Sequence, residues 1–403
     1  MSEKLAEVYE QYDMEILSSK KGRGSTILTT SNGLRILEPF RGNITRLEQE
    51  YILKQLLSKH GCTNIDSIFL NKDEQLLSYD KYRQPFVLKL HFQGEECDMH
   101  KEEDVIKAVK TLAQFHIYGR EIIKEFHEGW NIHLQEKEEH RIEEIRQAMD
   151  NGEDLEKLAS LYEISEEALN KVLSINTEEN MKEEIISHNK TLDYDTKKSH
   201  GIENVFERHN MEMKKIQKYI SRVKRKNEFE KTYLRVYDGF YDKGVKCLKM
   251  ISDMSDELIC NDGGFMNLHY GICHGSYNQH NVIIGENVNA IIHFERFSKG
   301  NQLNDLYQFA RKVMEKNHFD YELLQVMFEA YKEYIPLNGE DYRYMYVLFA
   351  YPEKFWKIAN SYYNTNKAFL SPKYMEKLDT VILQEEEKQA LLNTYREKNH
   401  LFN

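Results

Sequence analysis

The sequence predicts an α+β protein of two lobes, with a small N-terminal sheet and one helix followed by a large, mainly helical part. The first indication is a series of short β-rich segments near the N-terminus, which includes the hairpin signal Asn32-Gly33. The second is the absence of proline between Pro85 and Pro336, which permits long uninterrupted helices. We therefore expect an N-terminal lobe at residues 1–95 and a C-terminal lobe at residues 96–403.

The N-terminal lobe is predicted from alternating strands and turns. Because both central positions of a type I′ turn need positive φ, Asn32-Gly33 predicts a tight hairpin between two strands. Leucines at helical spacing predict a helix over Arg46–Lys59. The expected strands are Met14–Ser18, Ser25–Thr30, Leu34–Phe40, Ser67–Leu70, Leu76–Tyr79 and Phe86–Phe92.

The C-terminal lobe is predicted to be helical, with an inserted segment. Apolar residues recur at helical spacing over Glu102–Tyr118, which is typical of an amphipathic helix. From about residue 130 to residue 230 the chain is rich in glutamate and lysine and poor in aromatics. This composition predicts a helical insertion with solvated faces.

Part of the insertion, Ile142–Leu173, resembles a helix-turn-helix unit of three short helices. Asn151-Gly152 would break the first helix, and Ser165 would cap the third. The third helix lies at the position that reads DNA in such units. It carries one lysine and two acids, and DNA phosphates would repel the acids. We therefore expect a small packing subdomain and no nucleic-acid partner.

Composition narrows the class of protein. The chain has 403 residues and 40% hydrophobic content, enough for a substantial core, and a net charge of −12, which argues against a general nucleic-acid surface. No apolar run approaches the roughly 18 residues needed to span a membrane, and the acidic N-terminus has no secretory pattern. The five scattered cysteines predict reduced thiols in a cell.

One segment carries a recognisable catalytic layout. His274-Gly275-Ser276 and Asn281 have the spacing of H-G-D-x4-N, and they resemble the catalytic loop of aminoglycoside and choline kinase-like phosphotransferases. In that pattern an aspartate accepts the proton of the substrate hydroxyl, and the asparagine holds a metal ion. Here Ser276 stands at the aspartate position, and a neutral hydroxyl is a poor base. The resemblance implies a protein kinase-like two-lobed fold with a degenerate base position.

The expected metal site is also altered. The resemblance places a metal-binding aspartate at the end of the next strand, Ala290–Phe294, where this chain has His293. Glu295 follows two residues later, and Asp305 matches an aspartate that usually braces the loop. Imidazole suits the hard, oxygen-seeking Mg²⁺ poorly. Asn281, His293 and Glu295 are therefore weak candidate metal ligands.

The nucleotide clamp departs from the pattern as well. Its lysine should lie on the third strand, where the likeliest position holds Glu38 and the nearest cation is Arg35, on the opposite face. Glu48 or Glu50 on the following helix would be the ion-pair partner of that lysine. The short turn around Gly22 and Gly24 is more typical of an ordinary β-turn than of a phosphate cradle.

Several blocks together resemble the CotS family of spore coat proteins of endospore-forming bacteria. They are CHGSYNQHNVII, the strand into FERF, DLYQFARKVMEK, YPEKFWKIANSYYNTNKAF, and the N-terminal KKGRGSTILTTSNGLRILEPFRGNITRLEQE and QGEECDMHKEEDVIKAVKTLAQFH. The resemblance implies a kinase-like fold and a role in building the coat with other coat proteins. It also implies synthesis in the mother-cell cytoplasm, later residence in the coat, and no established catalytic activity or cofactor.

Two other interpretations of the same residues stay open. The first is an active phosphotransferase that uses ATP and Mg²⁺ on a small molecule with a hydroxyl or amine. The second is a transition-metal site formed by Cys273, His274, His280 and His293, although this spacing matches no ordinary structural-zinc pattern. The aromatic group Phe355, Trp356, Tyr362 and Tyr363 could form a ligand cage, but helix–helix core is the simpler expectation.

Overall fold

Six short strands form the N-terminal sheet of the computed structural model, which describes residues 5–151, 201–259, 269–364 and 372–401. The strands are β1 (Ile16–Lys21), β2 (Thr26–Thr30), β3 (Gly33–Pro39), β4 (Ile68–Phe69), β5 (Ser78–Tyr79) and β6 (Pro85–Leu90). Their order is β1-β2-β3-β6-β4, β5 also pairs with β6, and each of these pairs is antiparallel. The predicted lobe of short strands is therefore present.

The β2–β3 hairpin does not have the predicted type I′ turn at Asn32-Gly33. Thr30 pairs with Gly33, so the turn residues are Ser31 and Asn32 and the turn lies one residue earlier than predicted. Gly33 has a φ of 102°, whereas Asn32 does not have a positive φ. The Thr30 hydroxyl donates to Gly33 O over 2.8 Å and accepts from Asn32 N over 3.2 Å. These bonds favour a turn in which the glycine with positive φ follows the two central residues and is not one of them.

Strand β1 also differs from its predicted bounds. It extends to Lys20 and Lys21, which pair with Ile27 and Thr26 of β2, beyond the predicted end at Ser18. The turn itself is closed by a bond from Gly22 N to Ser25 O of 2.9 Å. It is an ordinary hairpin turn, as expected.

A helix packs on each face of this sheet. Helix α1 (Ala6–Glu10) packs with residues of β2, β3 and β6 that include Leu28 and Leu88. Helix α2 (Ile44–Lys59) packs through Leu47 against the other face, where Val87 of β6 lies. Because side chains alternate along a strand, Lys89 shares the α2 face with Val87.

The C-terminal lobe is mainly helical. Its helices, with α4 in a separate unit, are α3 (Glu102–Glu121), α4 (Ile123–Asp150), α5 (Ile202–Arg222), α6 (Glu228–Ile259), α7 (Leu303–Lys316), α8 (Tyr321–Lys332), α9 (Gly339–Ala350), α10 (Glu353–Asn364) and α11 (Lys373–Lys398). The remaining strands are β7 (Glu95–Glu96), β8 (Tyr270–Cys273), β9 (Val282–Ile284), β10 (Asn289–Ile291) and β11 (Ser298–Asn301). They form a β10-β9-β7 sheet and a β11-β8 pair.

The chain divides into two structural units, residues 1–121 with 200–403 and residues 122–199. In the second unit the structure describes α4, which is followed by Asn151 at its C-cap. The rest of the helix-turn-helix-like segment, with its Ser165 cap, lies outside the described residues, as does most of the central part of the 130–230 insertion. Within the described residues, no helix is long and apolar enough to cross a membrane.

The aromatic group near residue 355 belongs mostly to the core, as expected. Phe355 and Tyr362 are buried in a cluster between α5, α6, α10 and α11. Trp356 stacks on His209 with ring centroids 3.3 Å apart, whereas Tyr363 is 41% exposed. Four cysteines are free and buried, and the fifth, Cys260, lies outside the described residues.

Candidate functional site

The loop after β8 is held by a buried carboxylate. Asp305, in the first turn of α7, accepts hydrogen bonds from His274 N over 2.6 Å and from Gly275 N over 2.9 Å. Gly275 has a φ of 72°, and a Cβ there would lie 2.0 Å from Arg296 O. Asp305 therefore braces the loop, and Gly275 is required by the close approach of the backbone.

His274 acts as an anchor inside this loop. It is fully buried between the rings of Tyr277 and Phe294. Its Nε2 lies 3.0 Å from Ile292 O and its Nδ1 accepts from Ser276 N over 3.3 Å, so the proton belongs on Nε2. Burial lowers the pKa of His274, which keeps the ring neutral. The side chain positions the loop and does not face a reacting group.

Ser276 and Asn281 lie together, as the spacing predicts. Asn281 ends a single helical turn, Gln279–Asn281, and its Nδ2 donates to Ser276 O over 2.9 Å. Asn278 Nδ2 donates to the same carbonyl over 2.7 Å. The two residues that the spacing placed in one loop are therefore held together, and Ser276 contributes a neutral hydroxyl to that loop.

His293 pairs with Glu295 beside the loop. His293 has a φ of 66°, its backbone N donates to Asp66 Oδ2 over 3.1 Å, and its Nδ1 lies 3.4 Å from Glu295 Oε1. The hydrogen bond to Glu295 raises the pKa of His293, which favours the protonated ring. A protonated imidazole offers no lone pair to a metal ion.

The alternative transition-metal site does not form. In the part of the chain that the structure describes, no group of three or more His, Cys, Asp or Glu side chains is arranged to hold a metal ion. His274 is occupied by Ile292 O, and His280 pairs with Glu96. Burial raises the pKa of the Cys273 thiol, which disfavours the thiolate that zinc requires.

Arg35 does not reach the cleft, the region between the α2 face of the N-terminal sheet and the segment that carries His293 and Glu295. It lies over the ring of Phe69, with its guanidinium carbon 4.2 Å from the ring centre, and donates to Leu34 O and Asn32 O. Phe69 packs against the α1 side of the sheet, so Arg35 stays on the opposite face from Glu38. Glu38 is therefore left as the side chain at the expected clamp position.

The acid that was expected to pair with the clamp lysine pairs instead with a lysine that the sequence did not predict. Lys89 comes from the neighbouring strand β6, and its Nζ lies 3.7 Å from Glu50 Oε1 on α2. The same Nζ lies 3.5 Å from Glu38, 3.7 Å from Asp66 and 3.2 Å from Glu295. A single lysine in the apolar run PFVLKL is a signal of buried charge that could have identified it.

A second buried lysine completes this cluster, which we call the cleft charge cluster: Glu38, Glu50, Lys54, Asp66, Lys89 and Glu295. Lys54 is fully buried, with its Nζ 2.5 Å from Glu50 and 2.7 Å from Asp66. Burial lowers the pKa of Lys89, but Asp66 and the other carboxylates raise it more, so the amine is charged. Four carboxylates against two ammonium groups leave these six side chains net negative, and the protonated His293 that pairs with Glu295 offsets part of that charge.

Helix α2 is tied directly to the segment after His293. Arg46 donates through Nε to Glu295 O over 3.1 Å and through a terminal nitrogen to Phe297 O. Its guanidinium lies 3.8 Å from the centre of the Phe297 ring. These contacts and the Lys89–Glu295 pair connect the N-terminal sheet lobe to the loop region.

The most informative comparisons are with solved phosphotransferase structures. An aminoglycoside phosphotransferase from Alicyclobacillus acidocaldarius superposes with a TM-score of 0.68 at 14% identity, over 98% of this chain and 95% of that one. The fold is that of the aminoglycoside phosphotransferases. A spectinomycin phosphotransferase, solved with ADP and spectinomycin, has the same fold, with a TM-score of 0.52 at 11% identity over 95% and 96% of the two chains. No family model and no curated protein matches the chain.

A shared phosphotransferase fold leaves the chemistry to be argued from the side chains. Phosphoryl transfer depends on cations that neutralise the phosphates and on carboxylates that hold Mg²⁺. In this cleft Ser276 offers a neutral hydroxyl, protonation is favoured at His293, and Lys89 is surrounded by carboxylates. The residues present therefore fit a magnesium nucleotide poorly.

Proposed function

We propose that the protein is a spore coat component or coat-assembly protein of the CotS type, with a degenerate phosphotransferase site. The coat role rests on the sequence blocks that resemble the CotS family. The loss of catalysis is supported by one observation above the others, the excess of carboxylates over cations in the cleft charge cluster, where a phosphotransferase would neutralise phosphates.

The sequence changes in the cleft act on different parts of the reaction. Ser276 removes the proton acceptor, and His293 removes a metal carboxylate. Glu38 adds a negative charge where a lysine is expected, and Lys89 offsets it while also serving Glu295. Loss of a base alone would leave positioning catalysis, but the combined changes also remove the electrostatic stabilisation on which phosphoryl transfer depends.

The coat role is tested by following the protein through sporulation. A fluorescently tagged copy, expressed late in an endospore-forming host, should appear in the mother-cell cytoplasm and then remain with purified spores until the coat is chemically extracted. The matched control is the fluorescent tag alone under the same promoter, which should stay in the mother-cell lysate. A tagged protein that leaves with the lysate would contradict the coat role.

A second candidate function is an ATP-dependent phosphotransferase for a small hydroxyl- or amine-bearing molecule. The observation that favours it is the Lys89–Glu50 pair, which gives the cleft a cation paired with α2 as in active kinases. The likeness to a spectinomycin phosphotransferase solved with ADP is compatible with it. The two candidates differ in nucleotide binding at the cleft.

A further inference from the structure

One segment has a charge opposite to that of the rest of the chain. This basic segment, Lys214–Arg235, contains nine lysines and arginines and two glutamates, which give it a net charge of +7. The whole chain has a net charge of −12, so the residues outside the segment carry −19. Such a segregation of charge creates a local positive field on an otherwise acidic protein.

The basic segment has an ordered backbone, formed by the end of α5, a turn and the start of α6. Lys226 Nζ donates to Ser221 O over 3.1 Å and to Val223 O over 2.7 Å, which are carbonyls at the end of α5. Asn227 and Glu230 cap the start of α6, because Glu230 N donates to Asn227 Oδ1 over 2.9 Å and Asn227 N donates to Glu230 Oε2 over 3.0 Å. Glu230 and Lys226 therefore serve the helix ends, and the other cations are presented from a fixed frame.

Most charge of the basic segment faces solvent and is not neutralised within the protein. Lys231 pairs with Glu228 at 2.8 Å. In the part of the chain that the structure describes, the other exposed cations of the segment form no ion pair: Lys214, Lys215, Lys218, Arg222, Lys224, Arg225 and Arg235. The two lysines of the cleft, in contrast, are surrounded by carboxylates. The basic segment thus keeps its positive charge for a partner that brings the opposite charge.

The outer face of α5 combines these cations with exposed apolar side chains. Met211, Lys215, Tyr219 and Arg222 follow one another at spacings of three or four residues, so they share one face of the helix. Met211 is 50% exposed and Tyr219 is 39% exposed. The exposed Tyr363 of α10 adds a second ring, with its centroid 5.2 Å from that of Tyr219. Methionine, tyrosine and arginine are enriched where proteins contact one another.

We propose that the basic segment binds an acidic surface on a second copy of this chain. The residues outside the segment carry −19, so every copy offers both the basic segment and acidic surface complementary to it. The exposed Met211, Tyr219 and Tyr363 beside the cations favour a protein partner, since they can be buried in the same contact. A nucleic acid is less favoured, because phosphates that extend past the segment would meet the acidic remainder of the chain.

The proposal goes beyond the coat role and does not depend on it or on the cleft, because neither the catalytic loop nor the cleft charge cluster takes part. The test is analytical ultracentrifugation of the full chain in about 0.1 M and about 1 M salt. At about 0.1 M the screening length is about 10 Å, which preserves attraction between neighbouring charges and screens the repulsion between two acidic chains. At about 1 M it is about 3 Å. The average mass of the wild type should rise above that of one chain with protein concentration in the lower salt only.

Reversal of charge in the basic segment should abolish this behaviour. The triple change Lys215→Glu, Lys224→Glu and Arg225→Glu should weaken association at least about 10-fold in protein concentration. All three side chains are exposed, and circular dichroism should show that the variant keeps the helix content of the wild type. A labelled triple variant should still sediment faster when unlabelled wild type is added, because it keeps the acidic surface that the wild-type segment binds.

The matched control is the triple change Lys246→Glu, Lys249→Glu and Lys398→Glu, at exposed lysines outside the segment. It gives the chain the same net charge as the first variant and should associate within about 2-fold of the wild type. A wild type that stays a single chain in the lower salt would overturn the proposal, as would a segment variant that associates as well as the control. A wild type that stays a single chain but binds labelled oligothymidine, with that binding lost in the segment variant, would assign the segment to nucleic acid instead.

Discussion

Replacing Asp305 by alanine should lower the free energy of unfolding by about 3–5 kcal/mol, because two charge-assisted hydrogen bonds to buried backbone N–H groups are lost at once. Asp305 is 1% exposed and holds His274 N and Gly275 N in the loop. It also lies 3.4 Å from His116 Nε2, so the change removes a further polar partner of a buried ring. Urea unfolding followed by circular dichroism measures the difference.

Two further variants distinguish the loss of the Asp305 hydrogen bonds from the general effect of removing an acidic side chain. Asp305→Asn keeps one carbonyl acceptor and should cost less, about 2 kcal/mol. Asp379→Ala, at an exposed position of α11, should change stability by no more than about 0.5 kcal/mol. If Asp305→Ala unfolds within about 1 kcal/mol of the wild type, the loop does not depend on this carboxylate.

Replacing Lys54 by methionine should also cost about 3–5 kcal/mol, because two buried carboxylates lose their closest cation. Lys54 is fully buried, with Nζ 2.5 Å from Glu50 and 2.7 Å from Asp66. Methionine has a similar length, so the change removes charge with little loss of packing. The exposed Lys218→Met on α5 is the matched control and should have an effect within about 0.5 kcal/mol.

The cost of Lys54→Met should depend on pH with a defined sign. Burial raises the pKa of Asp66, but Lys54 and Lys89 lower it below its ordinary value of 3.8. A carboxyl whose pKa is depressed in the folded state stabilises the protein above its unfolded pKa, and that contribution is lost as pH falls through the folded value. The difference between wild type and variant should therefore be largest near neutral pH and shrink below about pH 4. A difference that grows on acidification would contradict this assignment.

Local patterns in the sequence predicted the elements of the sheet lobe but not all of their bounds. Apolar residues and turn signals predicted the positions of β2, β3, β6 and helix α2 well, because each of these elements buries one apolar face. Strand β1 was predicted short because its last residues, Lys20 and Lys21, carry no apolar signal and pair only through their backbones. The hairpin moved by one residue because a side-chain bond from Thr30 favoured a different turn.

The candidate site was only partly predicted from the sequence, because local patterns do not show which distant residues meet. His274, Ser276 and Asn281 are close along the chain, so their spacing was enough to place them in one loop. Lys89 and Asp66 reach the cleft from separate strands or loops, and their meeting depends on the pairing of β6 with β3 and β4. The charge balance of the cleft therefore appears only in three dimensions.

We expect that the cleft of this phosphotransferase fold does not bind magnesium nucleotide productively. The decisive measurement is the unfolding temperature of the wild type and of Lys89→Met, each with and without ATP and Mg²⁺. We predict no nucleotide-dependent rise in the wild type. A rise of several degrees in the wild type that Lys89→Met abolishes would overturn the degenerate-site proposal, since a ligand that binds the native state must stabilise it.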